Sequence, residues 1–115
     1  MYDFEIKRGD ILVINFGNHK IGSVQQGTRM ALCLSNNQGN KYSTILTVAP
    51  YTSQEKTLLP VHLTMEGYGL KLPSTLLLEQ TTVISKMQVI RKVGHIDNEE
   101  IMNEINKKLK IQLAL

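Results

Sequence analysis

The sequence predicts a mainly β fold, a small barrel to which a C-terminal helix is added. Three observations carry that expectation. Short apolar, β-branched runs recur along most of the chain, each closed by Gly, Asn or Pro. A helical repeat is confined to the end, where Ile101, Ile105 and Leu109 recur every four residues. The core must be aliphatic, because the chain has no Trp, two Phe and four Tyr. A length of 115 residues fits one domain, 1–115, large enough to bury a core without staples.

The elements follow in order. Ile11 to Phe16 is the first strand run, and turn chemistry follows at Gly17-Asn18, Gly22 and Gly27. The stretch from Phe16 to Arg29 is long for a hairpin loop, and loops of that size in small domains usually carry function. Met30 to Ser35 is the second run, closed by a turn at Asn36-Asn37-Gln38-Gly39-Asn40. Thr44 to Ala49 is the third, stopped by Pro50. Val61 to Met65, Thr75 to Leu78 and Thr82 to Ile84 are shorter candidates. A short helix is expected around Ser85 to Arg91, with Ser85 as N-cap. Asp97 caps the last helix, with Glu100 completing a capping box. Acids open that helix and Lys107, Lys108 and Lys110 lie toward its end, as the helix dipole prefers.

The charge is mildly basic, +3, with a pI near 9.1. It permits a phosphate-bearing partner without demanding one. Residues 1–60 hold six Lys/Arg against four acids, and 61–115 hold seven against six, so folding must assemble any nucleic-acid surface. The single cysteine, Cys33, reads as a buried small hydrophobe and excludes an internal disulfide. The opening Met-Tyr-Asp-Phe-Glu lacks an apolar signal core, and no run approaches the ~20 apolar residues of a membrane span. A cytoplasmic protein with no membrane partner is the simplest expectation.

Familiar catalytic signatures are missing: no phosphate-binding Gly loop, no HExxH, no Gly-x-Ser-x-Gly. His19, His62 and His95 stand apart in the sequence; two histidines could serve a ribonuclease as acid and base, but His62 in an apolar strand run and His95 just before the last helix read as structural. Glu79 and Asp10 belong to no acidic pair that would hold magnesium, and each reads as a structural partner for arginine. No metal or cofactor is expected. What remains is a polar constellation in three segments: 22–29, 51–54 and Glu79-Gln80. An arginine at a loop-to-strand junction can fork onto a phosphate, and a threonine hydroxyl after a strand can donate to the same anion. On pattern alone, Arg29 as a surface ion pair and Thr52-Ser53 as a turn stay open.

Lys7-Arg8-Gly9-Asp10-Ile11 resembles the opening strand of MazF/PemK toxins, and Gly22-Ser23-x-Gln25-x-Gly27-x-Arg29 is similar to their first-loop motif. The stretches 36–43, 48–54 and 59–63 resemble further family motifs, as do Leu77-Leu78-Glu79-Gln80 and Val93-Gly94-His95-Ile96-Asp97. The matches run in order from about residue 7 to the end. The resemblance implies an SH3-like barrel with added helices, a homodimer, and metal-independent, sequence-specific cutting of single-stranded RNA, which stops translation and growth. It implies a cognate antitoxin as partner, with DNA contacted only through that complex.

By residue-level match, the catalytic arginine falls on Arg29 and the catalytic threonine on Thr52. Ser23, Gln25 and Gln80 fall on RNA-holding positions, flanked by Thr28 and Ser53. The implied chemistry is in-line attack by the RNA 2′-hydroxyl, leaving a 2′,3′-cyclic phosphate and a 5′-hydroxyl. Arg29 would stabilise the phosphorane electrostatically, since a group with pKa above ~12 accepts protons poorly. An acid–base role for it stays open. The chain departs from the family at Val24, Gln26 and Met30, and has Thr81-Thr82 where an arginine is usual. Two other readings compete. A gyrase-poisoning toxin of the same fold would end in Trp-Gly-Ile, which this chain lacks. A peptide-binding barrel would want an aromatic groove.

Overall fold

The computed structural model describes residues 4–18, 22, 24–54 and 58–115. Within them, seven strands form one curled sheet: β1 (Asp10–Asn15), β2 (Thr28–Cys33), β3 (Ile45–Thr52), β4 (His62–Gly67), β5 (Leu70–Leu77), β6 (Thr82–Ser85) and β7 (Val89–His95). The spatial order is β4-β5-β3-β2-β1-β7, with β6 also paired to β3. Helix α1 (Asn37–Tyr42) joins β2 to β3, and α2 (Glu99–Leu113) follows β7. The sheet is a half-barrel with a C-terminal helix, as expected. No helix among the described residues is long and apolar enough to cross a membrane.

The central strands are apolar on both faces because both are covered. Ile11, Leu32, Ala49 and Tyr51 belong to one buried cluster, while Leu12, Ala31, Cys33 and Val48 belong to the other. Alternate residues of a strand point to opposite faces, so one run of sequence feeds two cores. Helix α2 closes the first cluster with Ile105, fully buried, and with Ile101, Met102 and Leu109 packed against it. The apolar stripe therefore packs within its own chain. Cys33 is buried as expected, and desolvation pushes its thiol above the ordinary range.

Several elements depart from the sequence reading. β3 runs through Pro50. On one edge β3 pairs with β6 up to Val48 and with β5 from Tyr51, so Pro50 falls between two ladders, where its missing N–H is not needed. Ser85 does cap a helical turn, but that turn is a single 3-10 turn, Lys86–Gln88. The chain then extends as β7, where a helix was expected. The Asn36–Asn40 turn is the start of α1, capped by Asn36. The cap of α2 is Asn98, one residue later than Asp97, with its side chain accepting from the Ile101 amide. Asn and Asp are equally good caps, so sequence alone does not choose between neighbours.

β4 and β5 form a hairpin with a two-residue turn, Tyr68-Gly69, both at positive φ. Its tip presses against β7. A Cβ on Gly94 would lie 1.6 Å from the Tyr68 carbonyl oxygen, and one on Gly69 would lie 2.1 Å from the Val93 oxygen. Backbone meets backbone there, and only glycine permits it.

Candidate active site

The register of the sheet explains why Arg29 and Thr52 meet. β2 pairs with β3 through Ala31 and Pro50. Two residues further along each strand lie Arg29 and Thr52, so strand alternation turns both side chains to one face. The strands part at this point. Arg29 stays paired with Ile14 of β1, whereas Thr52 is paired with Thr75 of β5. A cleft of 380 Å³ opens in the fork, lined by Arg29 and Thr52 together with Gln25, Thr28 and Ser53. Of the residues singled out in sequence, these five share one cleft. Ser23, like His19, lies outside the described residues.

Gln80 is brought alongside rather than into this cleft. The chain leaves β5 for β6 by a 3-10 turn, Leu78–Gln80, which packs on β3. Gln80 and Glu79 line an adjoining depression of 340 Å³ with Val24 and Thr82, and Gln25 lines both spaces. The Gln25 amide donates to Gln80 Oε1 at 3.1 Å, and the Gln25 Oε1 accepts from Arg29 Nε at 3.0 Å. Arg29 is thereby held at Nε, its Nη1 also donates to the Thr28 carbonyl at 3.5 Å, and the residue remains exposed. Thr52 Oγ1 accepts from the Gln54 amide at 3.3 Å, which leaves the hydroxyl proton free to donate.

The electrostatics favour an anion. Arg29 and Lys71 line the cleft, and no carboxylate, histidine or cysteine among the described residues does so. Tyr51 also borders it, but burial holds its phenol far above the ordinary range, and its hydroxyl points inward to Met65 Sδ at 3.4 Å. It is not a base. The cleft continues past Thr52 and Ser53 into a further depression bounded by Leu58, Leu72 and Pro73.

Two expected arginine partners turn out otherwise. Glu79 Oε2 is 2.7 Å from His62 Nε2. The Leu59 amide donates to His62 Nδ1 at 3.1 Å, so Nε2 is the ring atom that donates to Glu79. Asp10 is buried and bonded to His95 Nδ1 at 2.8 Å and to Lys92 Nζ at 3.2 Å. Arg8 goes elsewhere, to the Leu34 carbonyl and to Asn106 of α2. His62 and His95 line none of the three spaces described above, in keeping with the structural roles read for them.

Lys71 was the residue sequence reasoning missed. The signal was Gly67-Tyr68-Gly69, a positive-φ turn that extends β5 back to Leu70 and sets Lys71 on a strand.

A fold of this topology, with an arginine and a threonine facing one cleft, defines a class. Residues 7–113 match the family of PemK-like, MazF-like toxins of type II toxin–antitoxin systems, and the chain belongs to that family. It is 36% identical over 113 residues to the endoribonuclease EndoA of Bacillus subtilis, covering 96% of each chain. Among solved structures, it is similar to MazF of Deinococcus radiodurans, with a TM-score of 0.82 at 21% identity over 98% of this chain and 100% of that one. It is also similar to a chain of a MazE–MazF complex from the same organism, with a TM-score of 0.77 at 22% identity over 98% and 99% of the two chains.

Proposed function

We propose that this protein is a metal-independent, sequence-specific endoribonuclease of the MazF type, cutting single-stranded mRNA in the cytoplasm and so arresting translation. The observation that carries the reading is the joint placement of Arg29 and Thr52 in one cation-lined cleft. The 2′-hydroxyl, losing its proton to solvent, attacks the adjacent phosphorus in line, and the 5′-oxygen leaves and takes up a proton from solvent. The guanidinium of Arg29 neutralises the phosphorane oxygens, and the Thr52 hydroxyl donates to the same group. Each preorganised donor of this kind is worth about 3–4 kcal/mol of barrier. Gln25, Thr28, Ser53 and Gln80 hold the RNA on either side, and the family resemblance gives Ser23 the same task. A hard divalent ion would need carboxylate oxygens, and the cleft supplies none among the described residues.

On this reading the chain acts as one domain, 1–115, within a homodimer, and a cognate antitoxin restrains it. Exposed Leu58 and Leu72 beside the cleft suit such contacts. The test is incubation of purified protein with a long single-stranded RNA in EDTA, followed by sequencing of the cut ends. Cleavage with 5′-hydroxyl ends is expected, and Arg29→Ala should slow it about 10²–10³-fold without changing the melting curve. An Arg29→Ala variant that cuts at the normal rate would remove the site assignment.

A further inference from the structure

We propose that Lys71 is a second phosphate-binding cation in the cleft, gripping a phosphate next to the scissile one; the inference rests on the ribonuclease reading above. Lys71 lies on β5, the strand that pairs with Thr52, whereas Arg29 comes from β2. The two cations thus belong to opposite walls of the same space. Lys71 is exposed and forms no hydrogen bond or ion pair with any described residue. Some other basic side chains are committed to partners, Lys92 to Asp10, Lys108 to Glu104 and Arg8 to Asn106, and Arg29 and Lys71 are the cations that line the cleft among the described residues. Among the described residues no acid lines the cleft to neutralise them.

Its backbone is also fixed. Lys71 stands two residues after Gly69, where the hairpin tip abuts Val93 and Gly94. The ammonium therefore swings from a rigid root. A single strand of RNA presents one phosphate per nucleotide, so a chain aligned on Arg29 must bring a neighbouring phosphate over one wall. Among the described residues the β6 side offers Thr81-Thr82 and no cation. The β5 side offers Lys71. A compact point charge suits a phosphate that is held and not cut, whereas the planar guanidinium suits the one that reacts.

The experiment uses the full protein and an RNA oligonucleotide spanning a mapped cut site, with 2′-deoxyribose at the scissile nucleotide. Binding is measured by anisotropy over a series of salt concentrations for wild type, Lys71→Gln and Lys71→Arg. Removing one phosphate contact from a single strand should flatten the slope of log affinity against log salt by about 0.7. Lys71→Gln should bind several-fold more weakly at near-physiological salt, Lys71→Arg should restore both values, and in cleavage assays the loss should fall on KM. A Lys71→Gln protein with the wild-type slope and affinity, or a loss confined to kcat, would overturn the assignment. A wild type that neither binds nor cuts RNA would instead sink the ribonuclease reading and this inference with it.

Discussion

Arg29 Nε donates to the side-chain oxygen of Gln25 at 3.0 Å, and that contact links two residues that the family resemblance gives separate jobs. Gln25 is in turn anchored through its amide to Gln80. By the family resemblance both glutamines fall on RNA-holding positions. In this chain they also aim the guanidinium, because an arginine on an exposed strand end has many rotamers and only some face the cleft.

Gln25→Ala should therefore slow cleavage through Arg29. One lost hydrogen bond of this type is worth about 1–1.5 kcal/mol, or roughly tenfold in rate. The diagnostic is the double variant. Gln25→Ala combined with Arg29→Ala should cut no more slowly than Arg29→Ala alone, since the shared interaction is already gone. Fully additive losses in single-turnover assays would show that Gln25 acts on RNA independently.

Thr52 makes a sharper case. Thr52→Ser keeps the hydroxyl and should keep most of the activity. Thr52→Val keeps the shape and removes the donor, and should lower the single-turnover rate about 10²–10³-fold. Equal rates for the valine and threonine proteins would remove the hydroxyl from the mechanism.

The seam between the β4–β5 hairpin and β7 should be intolerant. A Cβ at Gly94 would lie 1.6 Å from a backbone oxygen, which no side-chain rotation can relieve. Gly94→Ala should cost at least about 3 kcal/mol, lowering the melting temperature by roughly 10 °C or more. Gly39→Ala is the control: its Cβ would meet only Asn36 Oδ1, at 3.4 Å, and it lies in a helix that favours alanine. A Gly94→Ala protein as stable as the control would contradict the seam.

Cys33 sets a pH dependence. Burial raises the folded thiol's pKa, whereas the unfolded chain ionises near about 8.5. Above that pH the unfolded state sheds a proton that the folded state keeps, so the thiol's contribution is full below about 8.5 and lost as pH rises toward the folded pKa. Denaturant melts at about pH 7 and pH 9.5 should show the stability gap between wild type and Cys33→Ala shrinking at the higher pH. A constant or widening gap would contradict the burial argument.

Much of this was legible before the coordinates. Continuous apolar runs at Ile11–Ile14 and Ala31–Leu34 exposed the central strands, and the Ile101/Ile105/Leu109 spacing exposed the face of α2. Arg29, Thr52, Gln25, Thr28 and Ser53 could be named from motifs and do converge. The failures share a cause. Pro50 reads as a stop because one sequence does not reveal that β3 changes partners there. β7 was mistaken for helix because Ser85 is a true cap, but of a turn lasting three residues. Glu79 and Asp10 were assigned arginines because the histidines that bind them are 17 and 85 residues away. Lys71 carried no motif, and its position depends on a hairpin whose turn residues went unread.

Arg29 is tied to β1 and Thr52 to β5, while β2 and β3 still pair two residues away at Ala31 and Pro50, so the aperture between the two side chains follows the curl of the sheet. It is a property of curvature: bending the sheet further narrows the jaws, and flattening it spreads them.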